Sequence, residues 1–83
     1  MRLLYFAWVR ETIGVGEEDV QPPEAVRTVA DLIDWLRGCS DAHAQAFADM
    51  TRLRAAVDQR FVTLDSELGA AREVAIFPPV TGG

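Results

Sequence analysis

The sequence contains no lysine, because all eight of its basic residues are arginines. The chain therefore offers no amine side chain for a Schiff base, for a phosphate-binding loop or for use as a general base. It also has a single cysteine, Cys39, and a single histidine, His43, which excludes an internal disulfide and a zinc or iron site built from Cys and His. These absences predict a protein of a reducing compartment that binds no metal and has no catalytic constellation of its own.

Long apolar runs and a positive charge balance are also missing. The most apolar segment, residues 3–9, is too short to span a bilayer and is followed at once by Arg10 and Glu11. It shows no small-residue cleavage site, so a signal peptide is not expected. A net charge of -5 repels both the phosphate backbone of nucleic acids and anionic bilayers. We therefore expect a cytoplasmic protein with no nucleic-acid partner and no membrane partner.

What is present suits a single small soluble domain. Of the 83 residues, 49% are hydrophobic and 25% are charged, which is typical of globular proteins and not of disordered chains. A chain of this length forms one compact core that buries roughly 60% of its unfolded surface. We predict one domain over residues 1–77, followed by an extended, flexible tail over residues 78–83.

The spacing of apolar residues predicts strands at both ends of the chain with helices between them. Strands are predicted over residues 2–10, 17–21, 54–58, 61–64 and 73–77, and helices over residues 29–37 and 41–50. Thr28 is expected to cap the first helix and Gly38 to end it, whereas residues 59–60 are expected to form a tight turn. His43 falls on the apolar stripe of the second helix and is expected to be packed or to act as a cap. This order favours an α+β roll, in which a mixed sheet carries helices packed on one face.

One side of the predicted sheet is too apolar to face water. Alternation along the first strand places Leu4, Phe6 and Trp8 on the side away from the helices. If the first and last strands are neighbours, Phe77 joins them there, and Phe61 is expected on the same side. Loops could cover this side, since single exposed apolar residues are common. The favoured interpretation is a patch that a larger partner covers, because contiguous exposed apolar surface marks interaction sites.

The last six residues form an unusual tail. Gly82 and Gly83 have no side chains, so an extended terminus could enter a slot little wider than backbone and present its carboxylate there. A glycine pair alone is typical of a frayed end, but Pro78 and Pro79 restrict the backbone just before it and favour a tail held away from the domain. A carboxylate is a poor electrophile, so such a tail reacts only after another protein activates it, for example as an acyl-adenylate. Attack by a sulfur donor would then leave a thiocarboxylate.

Three segments of the sequence match the pattern of a known family. They are Phe6-Ala7-x-Val9-Arg10-Glu11, Ala55-Ala56-Val57-x-Gln59 and Glu73-Val74-Ala75-x-Phe77-Pro78-Pro79-Val80-Thr81-Gly82-Gly83. With these segments the chain resembles, over its whole length, the small, sulfur-carrying subunits of molybdopterin synthases, the MoaD family of ubiquitin-like proteins. It departs from the family's pattern at Asp58, where an asparagine is common, and at Ala71-Arg72, where an acidic turn is common.

The resemblance implies a β-grasp (ubiquitin-like) fold and a cycle of sulfur transfer. An ATP-dependent, E1-like activating enzyme would adenylate Gly83, next to Gly82, and a sulfurtransferase would convert it to a thiocarboxylate. The sulfur would then pass to cyclic pyranopterin monophosphate in the active site of the large subunit of molybdopterin synthase, within a heterotetramer. The chain itself would be a non-catalytic, sulfur-donating subunit of this synthase that binds no cofactor.

The same resemblance indicates which residues contact the partner. Phe61 and Phe77 are the strongest candidates for the interface with the large subunit. Further residues expected at this interface are Phe6, Pro78, Pro79, Val80 and Thr81. Cys39 is expected to be partly buried and to take no part in a sulfur relay.

Three alternatives stay open at the level of the sequence. The chain could carry sulfur for another pathway, such as thiamine, cysteine or tRNA thiolation. It could be a ubiquitin-like protein modifier that is joined through Gly83 to lysines of its targets. It could also be an interaction domain whose tail is inert.

Overall fold

The computed structural model describes residues 1–79 of the chain. These residues build a five-stranded mixed sheet with helices on one side. The strands are β1 (Arg2–Tyr5), β2 (Glu17–Asp19), β3 (Arg54–Val57), β4 (Arg60–Val62) and β5 (Glu73–Phe77). The helices are α1 (Ala7–Ile13), α2 (Val29–Arg37) and α3 (Asp41–Ala46), and a 3₁₀ turn covers Met50–Arg52.

The order of the strands across the sheet is β2-β1-β5-β3-β4. The central pair, β1 and β5, is parallel, and the other neighbouring pairs are antiparallel. Strands from the two ends of the sequence are therefore hydrogen-bonded neighbours at the centre of the sheet. This arrangement confirms the predicted α+β class with a mixed sheet.

The core lies between one face of the sheet and the helices. Leu3 and Tyr5 of β1 and Val74 and Ile76 of β5 are buried there and belong to the same cluster as the apolar stripe of α2. The residues of that stripe are all fully buried: Val29, Leu32, Ile33 and Leu36. Full burial of a side chain of this size stabilises a fold by roughly 1.5–3 kcal/mol, so this layer is the main source of stability.

The predicted helix over residues 29–37 is confirmed together with its cap. The Thr28 hydroxyl accepts a hydrogen bond from the backbone N–H of Asp31 at 3.1 Å, and the Asp31 carboxylate accepts one from the backbone N–H of Thr28 at 3.2 Å. This reciprocal pair is a capping box, which satisfies two backbone donors that would otherwise lack partners. Backbone hydrogen bonds from Arg27 and Thr28 lower the pKa of Asp31. Gly38 ends the helix, as predicted.

The predicted strand over residues 2–10 is wrong beyond Tyr5. Phe6 is still extended, but Ala7 has a φ of 53°, in the left-handed region, and α1 begins there. Helix α1 buries Val9 completely in the core. The aromatic and β-branched composition of this segment favours a strand locally, yet an apolar run this short also suits a helix, and tertiary packing decides between them.

Several smaller expectations also differ from the structure. The strand predicted over residues 61–64 is β4, Arg60–Val62. Helix α3 ends at Ala46 and does not reach Met50, since the side chain of Asp49 accepts a hydrogen bond from the backbone N–H of Thr51 at 3.0 Å and starts a separate 3₁₀ turn. The strand predicted over residues 17–21 stops at Asp19. Cys39 is exposed and not partly buried.

Strand β5 ends at Phe77, and Pro78 and Pro79 follow it without regular structure. The predicted tail begins at this point, and its last four residues, Val80 to Gly83, lie outside the described residues. Within residues 1–79, no helix has the length and apolar character that a membrane span requires.

Candidate functional site

The outer face of the sheet, opposite the core, carries an apolar row that crosses four strands. In the register of the sheet, Leu4 of β1 pairs with Ala75 of β5, and Ala75 pairs with Ala56 of β3. Ala56 pairs in turn with Phe61 of β4. Paired residues point to the same side of a sheet, and Ala75 lies between the buried residues of β5, so the whole row faces away from the core.

Two alanines in this row leave a depression that aromatic rings surround. The depression is open, with a volume of about 610 Å³. We call five of the residues that line it the apolar face: Phe6, Ala56, Phe61, Ala75 and Phe77. Its remaining lining residues are Ala7, Gln59, Pro78 and Pro79. Five residues that the sequence placed at the interface thus lie around one depression: Phe6, Phe61, Phe77, Pro78 and Pro79.

Phe61 is the most prominent side chain of the apolar face. It is 83% exposed, and Phe6 is 47% exposed; because both line the same depression, they belong to one exposed apolar patch. The rings of Phe61 and Phe77 pack edge to face with centroids 5.7 Å apart. Ala56, which lies between Ala75 and Phe61 in the row, is only 7% exposed. The two aromatic rings therefore project beside a shallow depression lined by alanines, and together they form an exposed apolar surface.

Two residues that the sequence assigned to this patch do not join it as predicted. Trp8 lies on α1, packs partly buried against the core and has the guanidinium of Arg52 5.0 Å from its ring centroid. Its assignment to the patch is wrong, because it assumed that the strand continued to residue 10. Leu4 is in the outer row but lines a neighbouring depression with Phe6 and Val15. The predicted site residues Val80, Thr81, Gly82 and Gly83 lie outside the described residues.

The hairpin between β3 and β4 holds Phe61 in place. Val57 pairs with Arg60, so Asp58 and Gln59 form a two-residue loop, one position earlier than predicted. Their φ angles are 46° and 70°, which is the left-handed backbone of a type I′ turn. One Asp58 carboxylate oxygen accepts hydrogen bonds from the backbone N–H groups of Arg72 and Glu73 at 3.0 and 3.1 Å. The hairpin is thereby tied to the start of β5.

Gln59 is a functional candidate that the sequence analysis did not identify. It belongs to a segment shared with the family, but no role was assigned to it. A left-handed backbone at a residue other than glycine costs on the order of 1 kcal/mol. The sequence signal is a two-residue Asp-Gln loop between alternating apolar residues, in which glycine is the usual second residue.

A polar cluster on the core side has the composition of a catalytic triad but a structural role. Glu18 Oε2 accepts a hydrogen bond from the Tyr5 hydroxyl at 2.6 Å and lies 2.7 Å from His43 Nε2. His43 Nδ1 lies 2.6 Å from Ser40 Oγ, and that oxygen also accepts from the His43 backbone N–H as the cap of α3. His43 is 9% exposed. The cluster ties β2 to β1 and α3, and it confirms the prediction that His43 is packed.

Glu18 makes the stability of the fold depend on pH. Partial burial raises the pKa of Glu18, but hydrogen bonds from Tyr5 and His43 outweigh it, so the pKa lies below the ordinary value of 4.5. Burial and the neighbouring Glu18 carboxylate raise the pKa of Tyr5, which keeps its hydroxyl a donor. A depressed carboxyl pKa stabilises the fold above its unfolded pKa, and this contribution is lost as the pH falls through the folded pKa.

We predict that Glu18→Gln lowers the free energy of unfolding at neutral pH and that its difference from wild type shrinks as the pH falls below about 4.5. Urea unfolding of both proteins at about pH 7 and about pH 3 measures the two differences. Glu24→Gln, at an exposed position, is the control and should show a small difference at both pH values. A Glu18→Gln effect that stays constant across this range would contradict the prediction.

The fold and the apolar face define a class of protein: a ubiquitin-like β-grasp domain whose sheet presents an aromatic surface beside the exit of its last strand. The model of the ThiS family matches residues 3–83. The chain therefore belongs to the ThiS family.

Relatives with known names align with the full chain. A protein of Escherichia coli (strain K12) named molybdopterin synthase sulfur carrier subunit is 41% identical over 83 residues, which cover 100% of this chain and 99% of the relative. A protein of the same name from Haemophilus influenzae is 37% identical and is covered to 99%. The chain is thus similar in sequence and length to small subunits that carry this name.

Solved structures show the same architecture. A putative molybdopterin converting factor, subunit 1, from Pyrococcus furiosus superposes with a TM-score of 0.72 at 33% identity, covering 95% of each chain. SAMP1 from Haloferax volcanii superposes with a TM-score of 0.72 at 27% identity, covering 100% of this chain and 98% of the other. These matches confirm the β-grasp fold that the resemblance implied.

Proposed function

We propose that this chain is the sulfur carrier subunit of a molybdopterin synthase and donates sulfur to cyclic pyranopterin monophosphate in molybdenum cofactor biosynthesis. The observation that carries the proposal is the likeness to sulfur carrier subunits over the whole chain, which includes residue 83. The apolar face supports it, because it offers a docking surface next to the strand that leads into the tail. The setting proposed for this reaction is the cytoplasm.

The reactive group in this proposal is the carboxylate of Gly83. Its oxygen attacks the α-phosphorus of ATP on an E1-like activating enzyme, and pyrophosphate leaves. A sulfur donor at the oxidation level of hydrosulfide, supplied by a sulfurtransferase, then attacks the carbonyl carbon. The C–O bond to AMP breaks, a C–S bond forms, and the product is a thiocarboxylate. This chain supplies no acid or base to these steps and serves as the carrier of the reactive carbon.

The domain positions the tail for the partner's active site. Residues 78–83, when fully extended, reach at most about 20 Å beyond the end of β5. Docking of the apolar face on the large subunit sets the starting point of that reach at Pro78, which itself lines the depression. The face and the tail then act together: the face gives affinity, and the tail delivers the sulfur to a site that the partner builds.

Mass spectrometry tests this proposal directly. The purified chain, incubated with its activating enzyme, ATP and a sulfur source, is expected to exchange one oxygen for one sulfur, and fragment ions should place the exchange at Gly83. The charged chain, mixed with the large subunit and cyclic pyranopterin monophosphate, should then yield molybdopterin. A chain that gains no sulfur, or that gains sulfur and binds a thiazole synthase instead, would contradict the proposal. Isopeptide-linked conjugates would favour the modifier alternative.

A further inference from the structure

The type I′ turn places Gln59 in a strained backbone conformation, and no side-chain hydrogen bond within residues 1–79 accounts for a glutamine there. It is the second residue of the two-residue hairpin loop, its φ is 70°, and its side chain is exposed. Among residues 1–79, no hydrogen bond involves its amide group. The preceding residue, Asp58, shares the left-handed backbone, but its carboxylate accepts two backbone hydrogen bonds that account for its presence. Backbone strain of this kind is concentrated at functional sites.

Gln59 lies at the candidate docking site, which links its strained backbone to a possible function. It lines the depression of the apolar face beside Ala56 and Phe61. Every other residue that lines this depression in the described part of the chain is apolar: Phe6, Ala7, Ala56, Phe61, Ala75, Phe77, Pro78 and Pro79. A partner that covers the two aromatic rings would therefore also cover a primary amide.

We propose that Gln59 determines the specificity of the docking face, because its amide exchanges hydrogen bonds with a main-chain segment of the partner. This inference rests on the proposed function, in which that partner is the large subunit of molybdopterin synthase. A primary amide has both an acceptor oxygen and donor hydrogens, so it matches a segment that offers a backbone N–H and a C=O together. An apolar side chain at this position has neither group.

The amide also acts against partners that lack such a segment. Burial of an amide without hydrogen bonds is costly, whereas the apolar rings alone would accept many apolar surfaces. Discrimination between partners comes from such a penalty as much as from attraction. Gln59 thus restricts the apolar face to partners that can form hydrogen bonds with its amide.

The test compares Gln59→Met with wild type in binding to the large subunit of molybdopterin synthase from the same organism. Methionine keeps the length and apolar contact of the side chain but removes the amide, so the dissociation constant should rise about tenfold. Gln45→Met makes the same exchange at an exposed position on α3 and should bind like wild type. Isothermal titration calorimetry gives the three constants.

A second variant separates docking from folding. Gln59→Gly relieves the left-handed strain, so it should melt no lower than wild type and still bind about tenfold more weakly. Gln59→Met or Gln59→Gly binding as tightly as wild type would overturn the role of the amide and leave the proposed function intact. A wild-type chain that does not bind the large subunit would overturn the proposed function, and this inference with it.

Discussion

We expect that removal of Gly83 largely prevents sulfur loading while the domain stays folded and still docks. The shortened chain still ends in a glycine carboxylate, but its carbonyl carbon lies about 3.5 Å short of the position that the full tail reaches. When an enzyme positions two reacting groups, a misplacement of about 1 Å can lower the rate about a hundredfold. A displacement of about 3.5 Å should therefore lower the rate of thiocarboxylate formation at least about a hundredfold. The core cluster of the described residues includes no residue after Ile76, so the melting temperature should not change.

The measurement is the fraction of chains that gain sulfur after a fixed time with the activating enzyme, ATP and a sulfur source. Glu24→Gln is a suitable control, because it changes an exposed side chain outside the tail and should load like wild type. Binding of the shortened chain to the large subunit shows whether docking survives. Loading of the shortened chain at the wild-type rate would show that the reactive carbon is not that of Gly83.

Substitution of Phe61 by alanine is expected to weaken docking on the large subunit while the domain stays folded. Phe61 is 83% exposed in the isolated domain, so its truncation should change the free energy of unfolding by less than about 1 kcal/mol. Burial of a phenylalanine ring in a partner is worth about 1.5–3 kcal/mol, and aromatic residues at the centre of an interface are frequent hot spots. We therefore expect the dissociation constant for the large subunit to rise by about tenfold to a hundredfold.

Phe61→Leu is the matched variant for this prediction. Leucine keeps most of the apolar area but loses the edge-to-face contact with Phe77, so its binding should fall between that of wild type and Phe61→Ala. Calorimetry gives the affinities and thermal unfolding gives the stabilities. Equal affinities for all three proteins, with the large subunit bound, would mean that the partner contacts another surface of the domain.

Local patterns in the sequence were enough to predict several elements. The apolar spacing of α2 and the capping threonine Thr28 are both local features, and the structure confirms them. Strand β5 has its predicted bounds because Pro78 and Pro79 lack the backbone N–H that a ladder needs. The same reasoning failed for α1. Its composition favours a strand, but the segment forms a helix that buries Val9 in the core.

Phe6 shows how a residue can be placed correctly for the wrong reason. The sequence predicted it on the outer face as part of a long first strand. The structure brings it to the apolar face as the residue that precedes α1, after β1 has ended at Tyr5. Trp8, assigned by the same alternation, is directed elsewhere by the helix. Alternation predicts a side only while the strand lasts.

By itself, the sequence determined the two caps of α2 and the ends of the last strand, since each depends on neighbouring residues, and its apolar spacing indicated the class of the fold. Only the tertiary structure decided that Phe6, Phe61 and Phe77 surround one depression and that Gln59 lies at its edge. The reason is the pairing of β5 with both β1 and β3, which joins residues distant in sequence. Such pairings depend on the fit of the whole core and leave no mark in a local pattern.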